Sequence, residues 1–108
     1  ALASGLGQAL LERVMYDDDN GQLITGSFMD YALPHAGDMP PLRDAFHVVP
    51  STTNPLGVKG VGESATTAAI ATIMNAIADA IPGGGGARMD MPATPERIWQ
   101  ACRDAVRR

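Results

Sequence analysis

The sequence has 108 residues, 45% of them apolar, a formal net charge of −4 and a single cysteine. A chain of this length can bury one modest core, the lone Cys102 excludes an internal disulfide, and no run of about 18 apolar residues is present to span a bilayer. Because the positive charges are scattered and only 5% of residues are aromatic, the chain lacks the basic stripe and stacking platforms of nucleic-acid binding proteins. The composition predicts a soluble, cytoplasmic protein. Since the chain opens on Ala1 inside an apolar pattern, we expect a piece of a longer protein.

The first predicted element is a helix, because apolar residues recur at helical spacing at Leu2, Leu6, Leu10 and Val14. The pattern predicts a helix from Leu2 to about Tyr16. Gly5 and Gly7 would weaken its first turns by roughly 1 kcal/mol each relative to alanine. Glycines at such a cost indicate that another group approaches the helix backbone closely.

Extended structure is predicted for the middle of the chain. The polar cluster 17–21 is typical of a turn, and the segments Leu23–Thr25 and Phe28–Leu33 that follow it predict a β-hairpin. A loop over His35–Pro41 precedes a third candidate strand, Ala45–Val49. Because three strands leave unpaired edges, we expect them to join strands from other sequence or from a partner.

Two further helices are predicted in the second half. The segment Ser64–Ile81 is rich in Ala and Ile on almost every face, which predicts a helix buried on most sides and ended by Pro82 and the glycine run 83–86. Thr94 as N-cap and Pro95 as first helical residue predict the start of the last helix. The predicted fold class is therefore α+β, a small mixed domain with a short β-hairpin or partial sheet and three helices.

The segment Asn54–Thr67, with the sequence NPLGVKGVGESATT, is the candidate functional site. Three glycines within six residues lead into the second helix, and glycine lets a ligand come against bare backbone. The helix N-terminus adds unsatisfied N–H groups that suit an anion or an oxygen-rich cofactor. Glu63 lies at this junction, where it could act in catalysis or only stabilise the first turn of its helix.

Two familiar phosphate-binding loops can be compared with this segment. A P-loop requires Lys and then Ser or Thr directly after its last glycine, whereas Gly62 is followed by Glu63. A dinucleotide-binding turn requires a buried strand before the glycines, whereas Ser51–Leu56 is polar and interrupted by proline. The sequence therefore disfavours both.

The motif GVKGVGES followed by an Ala/Ile-rich helix resembles the C-terminal signature of the molybdenum hydroxylases, the family of xanthine dehydrogenase, aldehyde oxidoreductase and aerobic carbon monoxide dehydrogenase. Further matching segments follow in order along the chain: GLGQALLERVMYDDDNGQLITGSFMDYALP (Gly5–Pro34), TNPLGVKGVGE (Thr53–Glu63) and MPATPERIWQA (Met91–Ala101). The resemblance covers nearly all 108 residues. It implies that residues 1–108 form the C-terminal portion of a larger molybdopterin-binding domain.

The resemblance also implies roles for particular residues. Glu63 matches the family's active-site glutamate beside molybdenum, which acts as a base while an aldehyde, an N-heterocycle or carbon monoxide is oxidised with water-derived oxygen. The backbone of Gly60, Val61 and Gly62 would approach a molybdopterin cofactor, expected in its cytosine dinucleotide form. Ser4 and Gly5 match a second cofactor-contacting element that in the family usually reads Gln-Gly-x-Gly. Ser4 is shorter than Gln and cannot reproduce both amide contacts.

Partners follow from the same resemblance. Electrons would leave through iron–sulfur clusters and FAD on other domains or subunits, so the expected partners are the remainder of the molybdenum subunit and the iron–sulfur and flavin subunits. A second copy of the chain is a further candidate. No side chain is predicted as a metal ligand, and we expect the isolated chain to be inactive. The alternative hypothesis is a non-catalytic assembly module that retains the family fold, which Ser4 favours.

Overall fold

The computed structural model describes residues 1–84, 86 and 89–107. Three α-helices occur in chain order, α1 (Leu2–Leu10), α2 (Ser64–Ala80) and α3 (Pro95–Val106). Short 3-10 turns lie at Ala36–Asp38 and Pro82–Gly84. Gly85, part of the predicted glycine connection, lies outside the described residues.

The prediction of an α+β fold with a β-hairpin or partial sheet is wrong, because the described residues contain helices and no strand. The chain reverses after Asp17, but only one isolated antiparallel bridge forms, between Tyr16 and Leu23. Next to the bridge, the Met15 N–H donates to the Thr25 hydroxyl instead of a carbonyl. The pairing therefore ends after one residue pair.

The other two strand candidates lack partners for a ladder. Phe28–Leu33 begins in a turn, because the N–H groups of Asp30 and Tyr31 donate to the Ser27 carbonyl at 3.1 and 2.8 Å. Ala45–Val49 forms no backbone hydrogen bond with any other described residue. Residues with strand propensity become strands only when a neighbouring strand supplies the ladder, and the described part of the chain supplies none.

The helix predictions agree with the structure more closely than the strand predictions do. α2 matches its predicted range to within one residue, and α3 begins as predicted, with the Thr94 side chain accepting from the Arg97 N–H and Pro95 in the first turn. α1 ends at Leu10 rather than near Tyr16. There the N–H groups of the next two residues both donate to the Gly7 carbonyl, at 2.9 and 2.8 Å. These two hydrogen bonds to one carbonyl end the helix.

The core is small. The buried apolar residues among those described are Ala9, Ala69, Ile81 and Ala93, and none is a large side chain with full burial. α2 buries only Ala69 and packs mainly on α1. The prediction that this helix is buried on most sides is therefore wrong for this chain. The radius of gyration is 18.0 Å, against about 13 Å for a compact domain of this length. Many large apolar side chains therefore remain exposed.

Two contacts fix the helices relative to each other. The first turn of α1 packs on α2, where Gly5 meets Ala69. The Ala93 N–H, just before α3, donates to the carbonyl of Ala9 in α1 at 2.7 Å. α1 thus links the other two helices. No helix in the described ranges is both long and apolar enough to cross a membrane.

Candidate functional site

The glycine segment, Gly60–Gly62, follows a closed turn that the Asn54 side chain holds. Its Nδ2 donates to the Val58 carbonyl at 2.9 Å, and its Oδ1 accepts from the Val58 N–H at 3.1 Å. The turn is closed further by the Ser51 N–H, which donates to the carbonyl of Gly57 at 2.9 Å. Gly57 has a φ of 66°, a conformation that glycine adopts readily. These bonds fix the point from which Lys59 and the following residues extend.

The segment from Gly60 to Gly62 is an open stretch of backbone. A Cβ built on Gly60 or Gly62 would meet nothing within 4 Å, and Val61 is 75% exposed. The Val61 carbonyl accepts from both the N–H and the hydroxyl of Ser64, at 3.3 and 2.8 Å. Within the described ranges, the N–H groups of residues 59–63 donate to no protein acceptor, so they are available to an external one.

Glu63 is the N-cap of α2. It therefore lies at the junction of the glycines and the helix, where the sequence located it. Its side chain is exposed and forms no capping hydrogen bond. Its carbonyl accepts from both the N–H and the hydroxyl of Thr67, each at 3.1 Å. In the part of the chain that the structure describes, Lys59 forms no ion pair with Glu63. The backbone of Glu63 is therefore anchored while its carboxylate is unengaged.

The second predicted element, Ser4 and Gly5, lies on α1 beside α2. Ser4 is exposed, whereas Gly5 is buried against Thr66 and Ala69 of α2. The prediction that another group approaches the backbone at Gly5 is confirmed, and that group is helix α2. The fold thus places the α1 element next to α2, the helix that starts directly after Glu63.

The backbone supports of this site were not found from the sequence. Asn54, Ser64 and Thr67 hold the turn, the glycine segment and the Glu63 carbonyl through side-chain hydrogen bonds. The signal was available in their residue types, because Asn, Ser and Thr side chains bond to nearby backbone groups in turns and at helix starts.

The donor set fits an oxygen-rich cofactor better than a metal ion held by side chains. Uncovered glycine backbone, free N–H groups and the N-terminus of a 17-residue helix together attract anionic or oxygen-rich groups. In the part of the chain that the structure describes, no group of three or more His, Cys, Asp or Glu side chains could hold a metal ion.

Comparison with known proteins identifies the family. Residues 1–40 match the molybdopterin cofactor-binding domain family. The chain is 47% identical to the 6-hydroxypseudooxynicotine dehydrogenase complex subunit gamma of Paenarthrobacter nicotinovorans, over 94% of this chain and 13% of that protein. It is 36% identical to the nicotine 6-hydroxylase large subunit of the same organism, over 97% of this chain and 13% of the relative. Both relatives are thus far longer than this chain.

A solved structure shows the same fold. Quinoline 2-oxidoreductase from Pseudomonas putida 86 superposes with a TM-score of 0.81 and 40% identity, covering 95% of this chain and 13% of that one. The chain corresponds to a segment of the molybdopterin-binding large subunits of the xanthine dehydrogenase family of molybdenum-dependent oxidoreductases. It spans about an eighth of the length of these relatives, 13% in each case.

Proposed function

We propose that this chain contributes one wall of the active site of a molybdenum hydroxylase, with Glu63 as the base. The observation that carries the proposal is the free carboxylate of Glu63 at the junction of an open glycine segment and the N-terminus of α2. A purely structural glutamate at this position would be expected to form a side-chain capping hydrogen bond or to pair with Lys59, and the Glu63 side chain does neither in the described part of the chain.

The cofactor of this site is proposed to be molybdopterin in its cytosine dinucleotide form. The backbone of Gly60, Val61 and Gly62 would hold its oxygen atoms through the free N–H groups, and the exposed Ser4 hydroxyl would supply one hydrogen bond. Gly5 lies next to Ser4 in the same element. When bound, this cofactor supplies a molybdenum centre that accepts two electrons from the substrate.

Glu63 would move one proton in the reaction. A carbon–hydrogen bond of the substrate and one water become a carbon–hydroxyl bond, two electrons and two protons. A carboxylate oxygen of Glu63 would accept a proton from the water-derived oxygen as that oxygen attacks carbon. A base in this position contributes a factor of about 10²–10⁴ in rate. The electrons would pass to iron–sulfur clusters and FAD on the partner subunits.

Among the substrate classes open to the family, we favour an N-heterocycle. The names of two similar proteins refer to nicotine and quinoline, which both contain a nitrogen ring. The ring nitrogen makes the adjacent carbon electron-poor and so open to attack by oxygen. Aldehydes and carbon monoxide are the other classes to be assayed.

The proposed setting is the cytoplasm, with residues 1–108 as the C-terminal portion of the cofactor-binding domain. The exposed apolar side chains support a location inside a larger assembly. Phe28, Met29 and Phe46 are 84%, 93% and 91% exposed, and patches of this kind are normally covered by protein. The remainder of the molybdenum subunit would cover them, and the chain alone would be inactive.

The experiment that tests the base is Glu63→Gln in the complete molybdenum subunit, assembled with its iron–sulfur and flavin subunits. We expect turnover of the N-heterocycle to fall by about 10²–10⁴ while molybdenum per subunit stays unchanged. Glu96→Gln is the matched control, because Glu96 is also an exposed carboxylate in the first turn of a helix. Normal turnover in the Glu63 variant with a full complement of molybdenum would exclude Glu63 as the base.

The second candidate function is a non-catalytic assembly module. Ser4 favours it, because a serine cannot make both contacts of the glutamine that is usual at this position. This candidate predicts that the assembled wild-type complex contains no molybdenum, which elemental analysis decides before any kinetic measurement.

A further inference from the structure

A close contact between helices α1 and α2 is centred on Gly5. A Cβ built on Gly5 would lie 2.7 Å from the Cβ of Ala69 and 3.2 Å from the carbonyl oxygen of Thr66. Two carbon atoms in contact are normally about 3.5–4.0 Å apart. The spacing between α1 and α2 therefore admits only a hydrogen atom at position 5.

A hydrogen bond holds the same two turns together. The Thr66 hydroxyl donates to the Ala1 carbonyl at 2.8 Å, and that carbonyl also accepts from the Gly5 N–H at 3.1 Å. The first turn of α1 is thus attached to α2 by packing at Ala69 and by a hydrogen bond at Thr66.

These contacts lie close to Glu63 along α2. With a rise of about 1.5 Å per residue, Thr66 is about 4.5 Å and Ala69 about 9 Å from Glu63 along the helix axis. The Glu63 carbonyl is joined to this turn by the N–H and hydroxyl of Thr67. A change in the distance between α1 and α2 would therefore move the backbone that carries the Glu63 carboxylate.

We propose that Gly5 is a positioning residue, which sets the distance between α1 and α2 and thereby the location of the Glu63 carboxylate. The proposal rests on the proposed function of Glu63 as the base. It gives Gly5 a role different from the cofactor contact predicted from the sequence, since the face of Gly5 that lacks a side chain is occupied by α2.

The test compares Gly5→Ala, Ala69→Gly, the double variant with both changes, and Gly37→Ala, each in the complete subunit in its assembled complex. Glu63→Gln is measured alone and together with Gly5→Ala. The methyl group added at position 5 requires α1 and α2 to separate by about 1 Å, and a misplacement of that size can cost about 10² in rate. Removing the methyl group of Ala69 restores the space. Gly37→Ala is the control, because Gly37 is exposed and a Cβ there meets nothing within 4 Å.

Two readouts are measured, molybdenum per subunit and steady-state kinetics with the N-heterocycle that the wild-type complex oxidises. For Gly5→Ala we expect unchanged molybdenum, kcat lowered by about 10–100-fold and KM within about twofold. The double variant should regain most of the lost kcat, and Gly37→Ala should match the wild type. In a Glu63→Gln background, Gly5→Ala should have little further effect, because the group that it positions is gone.

Three results would overturn the positioning role: wild-type kcat in Gly5→Ala, no recovery on adding Ala69→Gly, or loss of molybdenum that Ala69→Gly does not restore. The last result would support a direct cofactor contact at Gly5. If Glu63→Gln alone retains turnover, the proposed function fails. This outcome is distinct from failure of the positioning role, which is judged from the kcat of the double variant with Gly5→Ala and Ala69→Gly.

Discussion

The Asn54 side chain offers a direct test of how the site is ordered. Its two hydrogen bonds with the Val58 backbone, at 2.9 and 3.1 Å, close the turn from which the glycine segment starts. Each such bond contributes about 0.5–1.5 kcal/mol net. Asn54→Ala removes both bonds and should destabilise the closed turn by about 1–3 kcal/mol. Asn54→Asp keeps an oxygen that can accept from the Val58 N–H but removes the donor, so it should cost about half as much.

The cost should appear in cofactor binding. If the segment 59–63 must be ordered before it can bind the cofactor, a loss of about 1–3 kcal/mol lowers the affinity for the cofactor by about 5–150-fold. The assay is molybdenum per assembled subunit, measured while the cofactor supply is limiting. Thr52→Ala is the control, since Thr52 is exposed and its side chain forms no hydrogen bond with the described residues. Equal molybdenum content in Asn54→Ala, Asn54→Asp and wild type would refute the reasoning.

Three further predictions concern the isolated chain. Ile81→Ala removes a side chain that is 3% exposed and should lower the free energy of unfolding in urea by about 2–3 kcal/mol; no change would mean that this core is not formed. Thr94→Ala should cost about 0.5–1 kcal/mol of α3 stability through loss of the N-cap, while Thr94→Ser should retain it, as followed by circular dichroism. The pKa of Tyr31 is raised above 10.0 by its hydrogen bond to Glu12, with burial and the Glu12 charge adding to the effect. The contribution of this bond to stability is therefore present below pH 10.0 and lost as the pH rises through the raised pKa. Glu12→Gln should lower the pH at which Tyr31 ionises, measured by absorbance at 295 nm, and an unchanged titration would exclude the bond.

The parts of the fold that follow from local chemistry were predicted well. Thr94 and Pro95 mark the start of α3 because a cap and a fixed φ act within one turn. The Ala/Ile-rich segment forms α2 within one residue of its predicted end because helix hydrogen bonds are internal to the segment. For the same reason, the glycine segment and Glu63 could be located at the start of α2 without knowledge of the tertiary structure.

The parts that depend on distant residues were not predictable in this way. A strand needs a partner strand, and the residue types of Ala45–Val49 do not determine whether a partner is present. The end of α1 is decided by two N–H groups that share the Gly7 carbonyl, a local choice that apolar periodicity does not reveal. Gly5 was recognised as a close contact, but that the contact is Ala69 of α2 is a property of the fold.

The small core has a consequence for mutagenesis of this region. Among the described residues, three of the four buried apolar side chains are alanines, which contribute little transfer free energy when they leave water. Under the proposed function, most of the free energy that keeps the three helices in place comes from surface that the rest of the complex covers. Substitutions at exposed positions such as Phe28 or Phe46 would then lower the yield of assembled complex before they altered the local fold. A screen for activity alone would count these positions as part of the active site, and only a parallel measurement of assembly would separate them from Glu63.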